Sequence, residues 1–190
     1  MPRTEIKISG FGGQGVITLG KLITAAVIKH TKGKTAAQSE SYGAMARGGS
    51  CWTDIIIDVA NFIDYPMTIR GNVDIAIFLS DLAVTRYKDV VKKKDGIIIY
   101  DPMIISKVKG KKTQKLYSIP AQKIATEDIK EPVTANVVMF GAFIGLTDII
   151  SKEAALKTVK EFVPSKAIDL NTKAFQKGYE LGQSLKMEGV

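Results

Sequence analysis

The spacing of hydrophobic residues divides the sequence into short predicted strands and longer predicted helices. Continuous apolar runs, such as residues 74–80 and 96–100, are typical of buried strands in a parallel sheet. Longer segments place apolar residues every three or four positions, which predicts helices. We therefore predict an α/β fold in which helices flank a mostly parallel sheet. The predicted strands are residues 5–9, 35–38, 51–59, 74–80, 96–100 and 115–119, and the predicted helices are residues 13–30, 82–91, 120–129, 137–150, 151–162 and 166–186.

Residues 51–59 follow a strictly alternating pattern instead. One face of this segment carries Cys51, Thr53, Ile55, Ile57 and Val59, and the other carries Trp52, Asp54, Ile56 and Asp58. Such alternation predicts a half-exposed strand that is antiparallel to its neighbour or near the edge of the sheet. The preceding segment, residues 39–50, is too polar and glycine-rich for a core element, so we predict a loop there.

Several positions in the predicted elements have expected structural roles. Gly141 and Gly145 are four residues apart in an apolar helix, where small residues let another backbone approach closely. Asn136 stands at the start of the same helix, where an asparagine most often caps the helix. Asp101 follows a strand and precedes a proline, which favours a turn or capping role.

Length and composition limit the classes of protein to which the chain can belong. The 190 residues suffice for one domain with a substantial core, and no segment resembles a linker, so we expect a single domain over residues 1–190. No apolar run is long and charge-free enough to span a membrane, and Met1 leads into the first strand without a secretory signal. The single cysteine, Cys51, excludes an internal disulfide and an iron–sulfur or zinc site built from this chain's own thiolates. We expect a cytoplasmic protein with no membrane association.

The net charge of +8 has three interpretations. The lysine runs at residues 92–94 and 107–115 are of a kind that usually forms solvated loops and helix faces. Nucleic-acid binding is an alternative, but aromatic residues are not interleaved with the lysines and no recognition motif is present, so we expect no nucleic-acid partner. The excess charge would also attract an anionic substrate or an acidic protein partner.

The first predicted strand runs into a glycine-rich turn that opens a helix. Gly10, Gly12 and Gly15 satisfy the spacing G-x-G-x-x-G of dinucleotide-binding loops, with Gly13 and Gln14 between them. In a strand–turn–helix arrangement, backbone N–H groups and the positive end of the helix dipole converge, so an anion can bind without side-chain charge. We therefore treat these five residues as candidate ligand-binding residues. The alternative is a turn needed only for strand-to-helix packing.

A second polar loop follows the second predicted strand, at the sheet edge where open α/β sheets bind ligands. Arg47 is flanked by small residues and could clamp a phosphate or carboxylate, with Tyr42, Gly43 and Gly48 completing the candidate set. The alternatives for Arg47 are a surface ion pair and an anchor in a subunit interface. Glu40 lies roughly where a Rossmann domain places its ribose-binding acid.

The sequence lacks the motifs of a self-sufficient enzyme. It contains no HExxH, GxSxG or P-loop pattern, and its one histidine, His30, leaves no Cys–His pair for nucleophilic catalysis. Its carboxylates, tyrosines and lysines form no recognisable constellation. We therefore name no catalytic residue and no metal ligand, and we expect a module that holds a ligand or joins other subunits.

The two loops together resemble a known protein family. They are similar to loops in the gamma subunit of 2-oxoacid:ferredoxin oxidoreductases, a module shared by the pyruvate, 2-oxoglutarate, 2-oxoisovalerate and indolepyruvate enzymes. The similarity covers nearly the whole chain, and the paired loops are far more specific together than either is alone. The matching positions are residues 10–15, 38–43 and 47–49, with Pro66, Asp74, Asn136, Gly141, Asn171, Ala174, Phe175 and Gly178.

The resemblance implies a modified Rossmann-like, three-layer domain that packs against an alpha-type subunit. The complex would decarboxylate a 2-oxoacid oxidatively with thiamine diphosphate and Mg, send electrons through iron–sulfur clusters to ferredoxin, and pass the acyl group to coenzyme A. Thiamine diphosphate would lie between alpha- and beta-type subunits, and the clusters in beta- or delta-type subunits. This chain would contribute subunit contacts and coenzyme A access, and alone it would be inactive.

Two uses of the loops follow from this resemblance. The glycine turn and Arg47 would hold a coenzyme A phosphate, or the same loops would serve only as a subunit interface. A stand-alone NAD(P)-dependent oxidoreductase that uses residues 10–15 is the alternative function, although the region after Gln38 does not continue as a typical cofactor pocket. The choice of 2-oxoacid would reside in the alpha- and beta-type subunits.

Overall fold

The strands and α-helices follow one another along the chain in the order that the hydrophobic pattern predicts. The structure, a computed structural model, describes residues 3–43, 48–59 and 62–189. In these residues the strands are β1 (Thr4–Phe11), β2 (Thr35–Tyr42), β3 (Ser50–Asp58), β4 (Ile75–Phe78), β5 (Ile97–Tyr100) and β6 (Lys115–Ser118). The α-helices are α1 (Val16–His30), α2 (Asp81–Tyr87), α3 (Ala121–Lys123), α4 (Ala135–Thr147), α5 (Lys152–Phe162) and α6 (Ile168–Met187). A π-helical turn, Ile124–Ile129, extends α3, and 3₁₀ turns occupy Lys88–Val90, Pro132–Thr134 and Ser165–Ala167.

The strands form one sheet with the order β2-β3-β1-β4-β5-β6. The neighbours β1, β4, β5 and β6 are parallel, whereas β3 runs antiparallel to both β1 and β2. The prediction of a mostly parallel, modified Rossmann-like α/β sheet is therefore confirmed. The modification is the insertion of β3 between β1 and β2, which are direct neighbours in a Rossmann sheet.

Helices and loops cover the two faces of the sheet unequally. Alternate side chains of β1, such as Ile6 and Ile8, belong to the larger core, which they form with α1, α4, α5 and α6. On the opposite face, Ala76 and Phe78 of β4 pack with α2 and with the segment after β5. The result is three layers. None of the helices within the described ranges is long and apolar enough to cross a membrane.

The glycines of α4 allow the close helix contact that their spacing predicts. A methyl group on Gly141 would overlap the carbonyl oxygen of Phe175, and one on Gly178 of α6 would overlap the carbonyl oxygen of Val138. The backbones of α4 and α6 therefore touch directly. This contact, with the sheet on its other side, buries α4 along most of its length.

Strand β2 is longer than predicted. It continues through Tyr42, which pairs with Cys51 of β3, so the predicted loop begins only at Gly43. As an edge strand, β2 pairs on one side and keeps most of its polar side chains in contact with water. Polar composition therefore did not exclude a strand at this position.

The prediction that β3 is half exposed is wrong, although its antiparallel direction is confirmed. Asp54 and Ile56, on the face expected to meet water, are buried. The loop of residues 62–72 covers this face, and the Thr68 N–H donates to Asp54 Oδ2 at 3.2 Å. Alternation of polar and apolar residues predicted exposure because a buried aspartate is uncommon without such a partner.

Candidate functional site

The glycine turn between β1 and α1 is held in shape by a side chain of its own. The Phe11 N–H donates to Gln14 Oε1 at 2.6 Å, and the Gln14 N–H donates to the Phe11 carbonyl at 3.1 Å. Gly13 and Gly15 have φ angles of 100° and 77°, in the region that side chains disfavour. The turn is therefore preformed, with its backbone exposed on one side.

Helix α1 begins without a side-chain cap. Gly15 is the N-cap residue, and the first turn contains no acidic residue. The Leu19 N–H donates to the Gly15 carbonyl at 2.8 Å, so the N–H groups of Val16, Ile17 and Thr18 precede the first intrahelical bond. These groups and the positive end of the helix dipole favour an anion at this helix end.

The two predicted loops meet in the structure. The Gly12 N–H donates to the Gly49 carbonyl at 2.8 Å, and the Gly48 N–H donates to the Gly12 carbonyl at 3.3 Å. The loops thus form one unit, which neither sequence motif shows alone. Arg47 lies outside the described residues, so its role in this unit stays a prediction.

A cleft of about 360 Å³ opens beside these loops. It lies at the carboxyl ends of the parallel strands, next to β1, where the sheet continues to β3 on one side and β4 on the other. Open α/β sheets bind ligands at such a switch point. The described residues that line the cleft include no carboxylate. The predicted site residues among them are Gly12, Gly13, Gln14, Gly15 and Tyr42.

Three other predicted residues lie next to the cleft and shape it without lining it. Gly10 is buried, and a methyl group there would come within 2.6 Å of Gln14 Oε1. The Gly43 N–H donates to the Ser50 carbonyl at 2.8 Å and closes the β2–β3 hairpin. Gly48 connects that hairpin to the glycine turn through its bond to Gly12.

The sequence analysis did not predict the residues of the opposite wall of the cleft. Gln122, Val133 and Asn136 form it, and they come from segments far along the chain. The prediction that Asn136 caps α4 is wrong, because the N-cap residue is Thr134 and Asn136 already lies in the first turn. Its side chain packs over Gly15 instead. The signal available in the sequence was its place among the family-like positions.

The polar groups around the cleft are placed for binding rather than for nucleophilic attack. Burial raises the pKa of the Cys51 thiol, so this lining residue stays protonated and is a poor nucleophile. Asp101, after β5, accepts hydrogen bonds from the N–H groups of Met103 at 2.9 Å and Gln122 at 2.7 Å. Burial raises the pKa of the Asp101 carboxyl despite these bonds. Its predicted turn role is confirmed, and it also fixes the start of α3.

Glu40 does not occupy the position of a Rossmann ribose-binding acid. Because β3 separates β2 from β1, Glu40 lies one strand, about 4.8 Å, further from the glycine turn than that arrangement requires. Its carboxylate lies 3.4 Å from Lys21 Nζ and accepts the Tyr42 hydroxyl at 3.2 Å. This geometry does not favour dinucleotide binding.

Metal-binding and histidine chemistry do not contribute to the cleft. In the described part of the chain, no group of three or more His, Cys, Asp or Glu side chains could hold a metal ion. His30 lies at the far end of α1, with Nε2 3.1 Å from Glu161 Oε1. His30, with help from Lys29, holds the pKa of the Glu161 carboxyl below its ordinary value.

Known proteins share both the sequence and the fold of this chain. A family model described as pyruvate ferredoxin/flavodoxin oxidoreductase matches residues 5–181. The 2-oxoglutarate synthase subunit KorC of Methanocaldococcus jannaschii is 40% identical over 96% of this chain and 96% of that protein. The gamma subunit of a keto/oxoacid ferredoxin oxidoreductase from Geobacter sulfurreducens has a TM-score of 0.80 at 34% identity, covering 95% of this chain and 99% of that chain. A 2-oxoglutarate:ferredoxin oxidoreductase from Magnetococcus marinus, with 2-oxoglutarate, coenzyme A and succinyl-CoA bound, shares the fold with a TM-score of 0.81 at 21% identity, over 97% of this chain and 32% of that chain.

Proposed function

The chain belongs to the pyruvate ferredoxin/flavodoxin oxidoreductase family as a gamma-type subunit, and we propose that it serves a complex that oxidises 2-oxoglutarate. In that reaction the 2-oxoacid loses CO₂, its acyl group passes to coenzyme A, and electrons pass to ferredoxin. The choice of 2-oxoglutarate is supported by the 40% identity to a KorC subunit. The comparisons lend no support to a stand-alone NAD(P)-dependent enzyme.

We assign the redox chemistry to companion subunits of alpha, beta or delta type. Iron–sulfur clusters do not fit the residues of this chain, and the sequence contains no Gly-Asp-Gly segment of the kind that holds the Mg ion of thiamine diphosphate. Its one cysteine cannot form a cluster, and the described residues contain no group of potential metal ligands. Ferredoxin would therefore be reached through the companions. The free, buried thiol of Cys51 also supports a reducing, cytoplasmic location.

The contribution of this chain is to bind coenzyme A in the cleft. One observation carries this proposal: the uncapped N-terminus of α1 opens into a cleft in which no described lining residue is acidic. Coenzyme A is anionic through its phosphates, and the N–H groups of Val16, Ile17 and Thr18 would stabilise one of them. The coenzyme A in the Magnetococcus marinus enzyme supports the ligand class.

Side chains on both walls would position the bound coenzyme. The side chains of Gln122 and Asn136 line the cleft together with the N-terminus of α1, and each amide can donate to a phosphate or to an amide carbonyl. Arg47 would add positive charge from the second loop. We expect Arg47→Ala, in the assembled complex, to raise the KM for coenzyme A with little effect on ferredoxin reduction by the other subunits. An unchanged KM would remove Arg47 from this role.

The Thr18→Asp variant, measured in the assembled complex, distinguishes an effect on ligand binding from an effect on the stability of α1. Thr18 is exposed, lines the cleft and is the third residue of α1. An aspartate there stabilises the helix by about 0.3–1 kcal/mol, because it complements the dipole, but it repels a bound anion. We expect an unchanged or higher Tm with a KM for coenzyme A raised about tenfold, which corresponds to about 1.4 kcal/mol. Thr18→Asn, with the same shape and no charge, should change that KM less than about twofold.

Two results would contradict the proposal in different ways. A normal KM for coenzyme A in the Thr18→Asp complex would leave the loops with an interface role alone. Turnover of 2-oxoglutarate by the purified chain without companions would contradict the assignment as a subunit. A complex that reduces a redox dye with pyruvate but not with 2-oxoglutarate, when coenzyme A is supplied, would show that 2-oxoglutarate is not its substrate.

A further inference from the structure

The loop before β4, residues 62–72, exposes four large apolar side chains and is called the apolar loop below. Phe62 is 88% exposed, Tyr65 67%, Ile69 61% and Met67 43%. A single exposed apolar residue is ordinary, but four within one short loop mark an interaction surface. Aromatic side chains and methionine are also enriched at the centres of protein interfaces.

Buried carboxylates beneath the apolar loop fix its backbone. Glu5 accepts hydrogen bonds from the Ile69 N–H at 2.8 Å and from Asn72 Nδ2 at 3.0 Å. Asp54 accepts from the Thr68 N–H at 3.2 Å. Burying a carboxylate is unfavourable without such donors, so each bond opposes detachment of the loop from the sheet. The backbone of residues 68–72 is therefore held in one arrangement, which lowers the entropy that this part of the loop loses on binding.

A basic cleft of about 340 Å³ adjoins the end of the apolar loop. Arg70, Lys88, Lys93 and Lys111 line it, and Asp89 is the carboxylate among its described lining residues. Within the described ranges, none of these four cations forms an ion pair. Like charges gathered in one cleft destabilise the free chain, and an anionic partner would relieve that repulsion.

The apolar loop and the basic cleft are parts of one continuous surface. Arg70 follows Ile69 directly, and the Gly71 N–H donates to the Val90 carbonyl at 2.8 Å. That bond holds the end of the loop against the turn that carries Lys88. Residues 62–72, 88–93 and 111 are together called the docking surface.

We infer that the docking surface binds a companion subunit whose facing surface is apolar and bordered by carboxylates. The inference rests on the proposed function, in which the chain is one subunit of a complex. A second copy of this chain does not complement the surface, because a two-fold contact would set one basic cleft against another in a chain of net charge +8. A nucleic acid would engage the basic cleft but leave the apolar loop in water.

The test measures how tightly the full chain binds the remaining subunits of its complex, purified together without it. Phe62→Ser with Ile69→Ser removes two apolar anchors, and Lys88→Glu with Lys93→Glu reverses the charge of the cleft. We expect each double variant to raise the Kd at least about tenfold, because exposed anchors and complementary charges both contribute to affinity. We also expect the Kd of the wild-type chain to rise with salt, and that dependence to weaken in the charge-reversed variant.

Matched controls come from the opposite face of the sheet. Ile28 on α1 is 59% exposed, close to the value for Ile69, and Lys157 on α5 is an exposed lysine. Ile28→Ser and Lys157→Glu should leave the Kd within about twofold. All variants change exposed side chains, so circular dichroism and Tm should match those of the wild-type chain.

The outcomes separate this inference from the proposed function. If the wild-type chain does not bind the remaining subunits, the proposed function fails. If it binds and either double variant binds equally well, the role that we infer for the docking surface is wrong, while the proposed function stands. A wild-type dimer that Phe62→Ser with Ile69→Ser converts to a monomer would identify a second copy as the occupant and overturn the inference. Tight, salt-dependent binding of unrelated oligonucleotides, lost in Lys88→Glu with Lys93→Glu, would overturn it as well.

Discussion

The side chain of Asn136 lies over the α-carbon of Gly15, so that a methyl group on Gly15 would come within 2.9 Å of Asn136 Cβ. Through this contact the first turn of α4 packs on the N-terminus of α1 and forms one wall of the cleft. The last glycine of the G-x-G-x-x-G pattern therefore sets the distance between two helices. Its φ angle of 77° gives a second reason for glycine at this position.

Gly15→Ala should destabilise the chain more than the backbone conformation alone explains. Gly33 provides the control, because its φ of 73° is similar and a methyl group there would meet nothing within 4 Å. Gly33→Ala should lower the free energy of unfolding by about 1–2 kcal/mol through left-handed strain. Gly15→Ala should lower it by about 1–3 kcal/mol more, because Asn136 must also move. Urea unfolding measures both losses, and equal losses would show that the contact with Asn136 is unimportant.

Gly178→Ala should reverse the usual effect of this substitution in a helix. Alanine normally stabilises a helix interior by about 0.8–1.0 kcal/mol relative to glycine. At Gly178 the added methyl group would overlap the carbonyl of Val138, so α4 and α6 must separate, and we expect a loss of about 2–4 kcal/mol. Lys173→Ala, at an exposed position of the same helix, should change stability by less than about 0.5 kcal/mol. Thermal and denaturant unfolding would measure the stability of both variants, and equal stabilities would contradict a close contact between α4 and α6 at Gly178.

The predictions from sequence succeeded where one local signal was sufficient. The apolar runs identified β4 and β5, and the spacing of Gly141 and Gly145 identified the face of α4 that contacts α6. The glycine turn was likewise recognised from residues close together in the chain. These features depend on periodicity or on a short motif.

The features that were missed depend on contacts between distant segments. Burial of Asp54 requires the apolar loop, which shows no regular pattern, and the far wall of the cleft brings Asn136 to Gly15 across more than half the chain. β2 was predicted too short because an edge strand tolerates the polar residues that usually indicate a loop. No local pattern in the sequence encodes these three outcomes.

Asp101→Asn should lower stability and change its dependence on pH. Asparagine supplies one acceptor oxygen, whereas Asp101 uses two, for the N–H groups of Met103 and Gln122, so we expect a loss of about 1–3 kcal/mol at neutral pH. Burial raises the pKa of Asp101 in the folded chain. As the pH falls from that raised pKa towards the ordinary value, the folded state takes up a proton that the unfolded state does not, so the wild-type chain gains stability.

The asparagine variant lacks this titration, so its deficit should grow as the pH falls through the same window. Urea unfolding of both chains between about pH 4 and 7 measures the difference, since the ordinary pKa of aspartate is about 3.9. Curves that stay parallel across this range would show that Asp101 is not a source of the pH dependence.

Lys7 and Asp54 form a buried ion pair on adjacent strands, with Lys7 Nζ 2.5 Å from Asp54 Oδ1. The ammonium group also lies 4.8 Å from the ring centroid of Tyr87, which favours the cation further. Removing one member leaves the other charged and buried, so Lys7→Met and Asp54→Leu should each lower the free energy of unfolding by about 3–5 kcal/mol. The double variant replaces the pair by apolar groups, which costs much less than the sum of the single changes.

A double-mutant cycle for this pair should therefore yield a coupling free energy of several kcal/mol. The exposed pair Lys177–Asp128, at 3.0 Å, provides the comparison, and its cycle should yield less than about 1 kcal/mol because water screens both charges. Asp54→Leu also removes the acceptor for the Thr68 N–H, so it should loosen the apolar loop as well. Faster hydrogen exchange across residues 66–72 in Asp54→Leu than in Lys7→Met would report that second effect. Additive losses at Lys7 and Asp54 would show that the two charges do not stabilise one another in the folded chain.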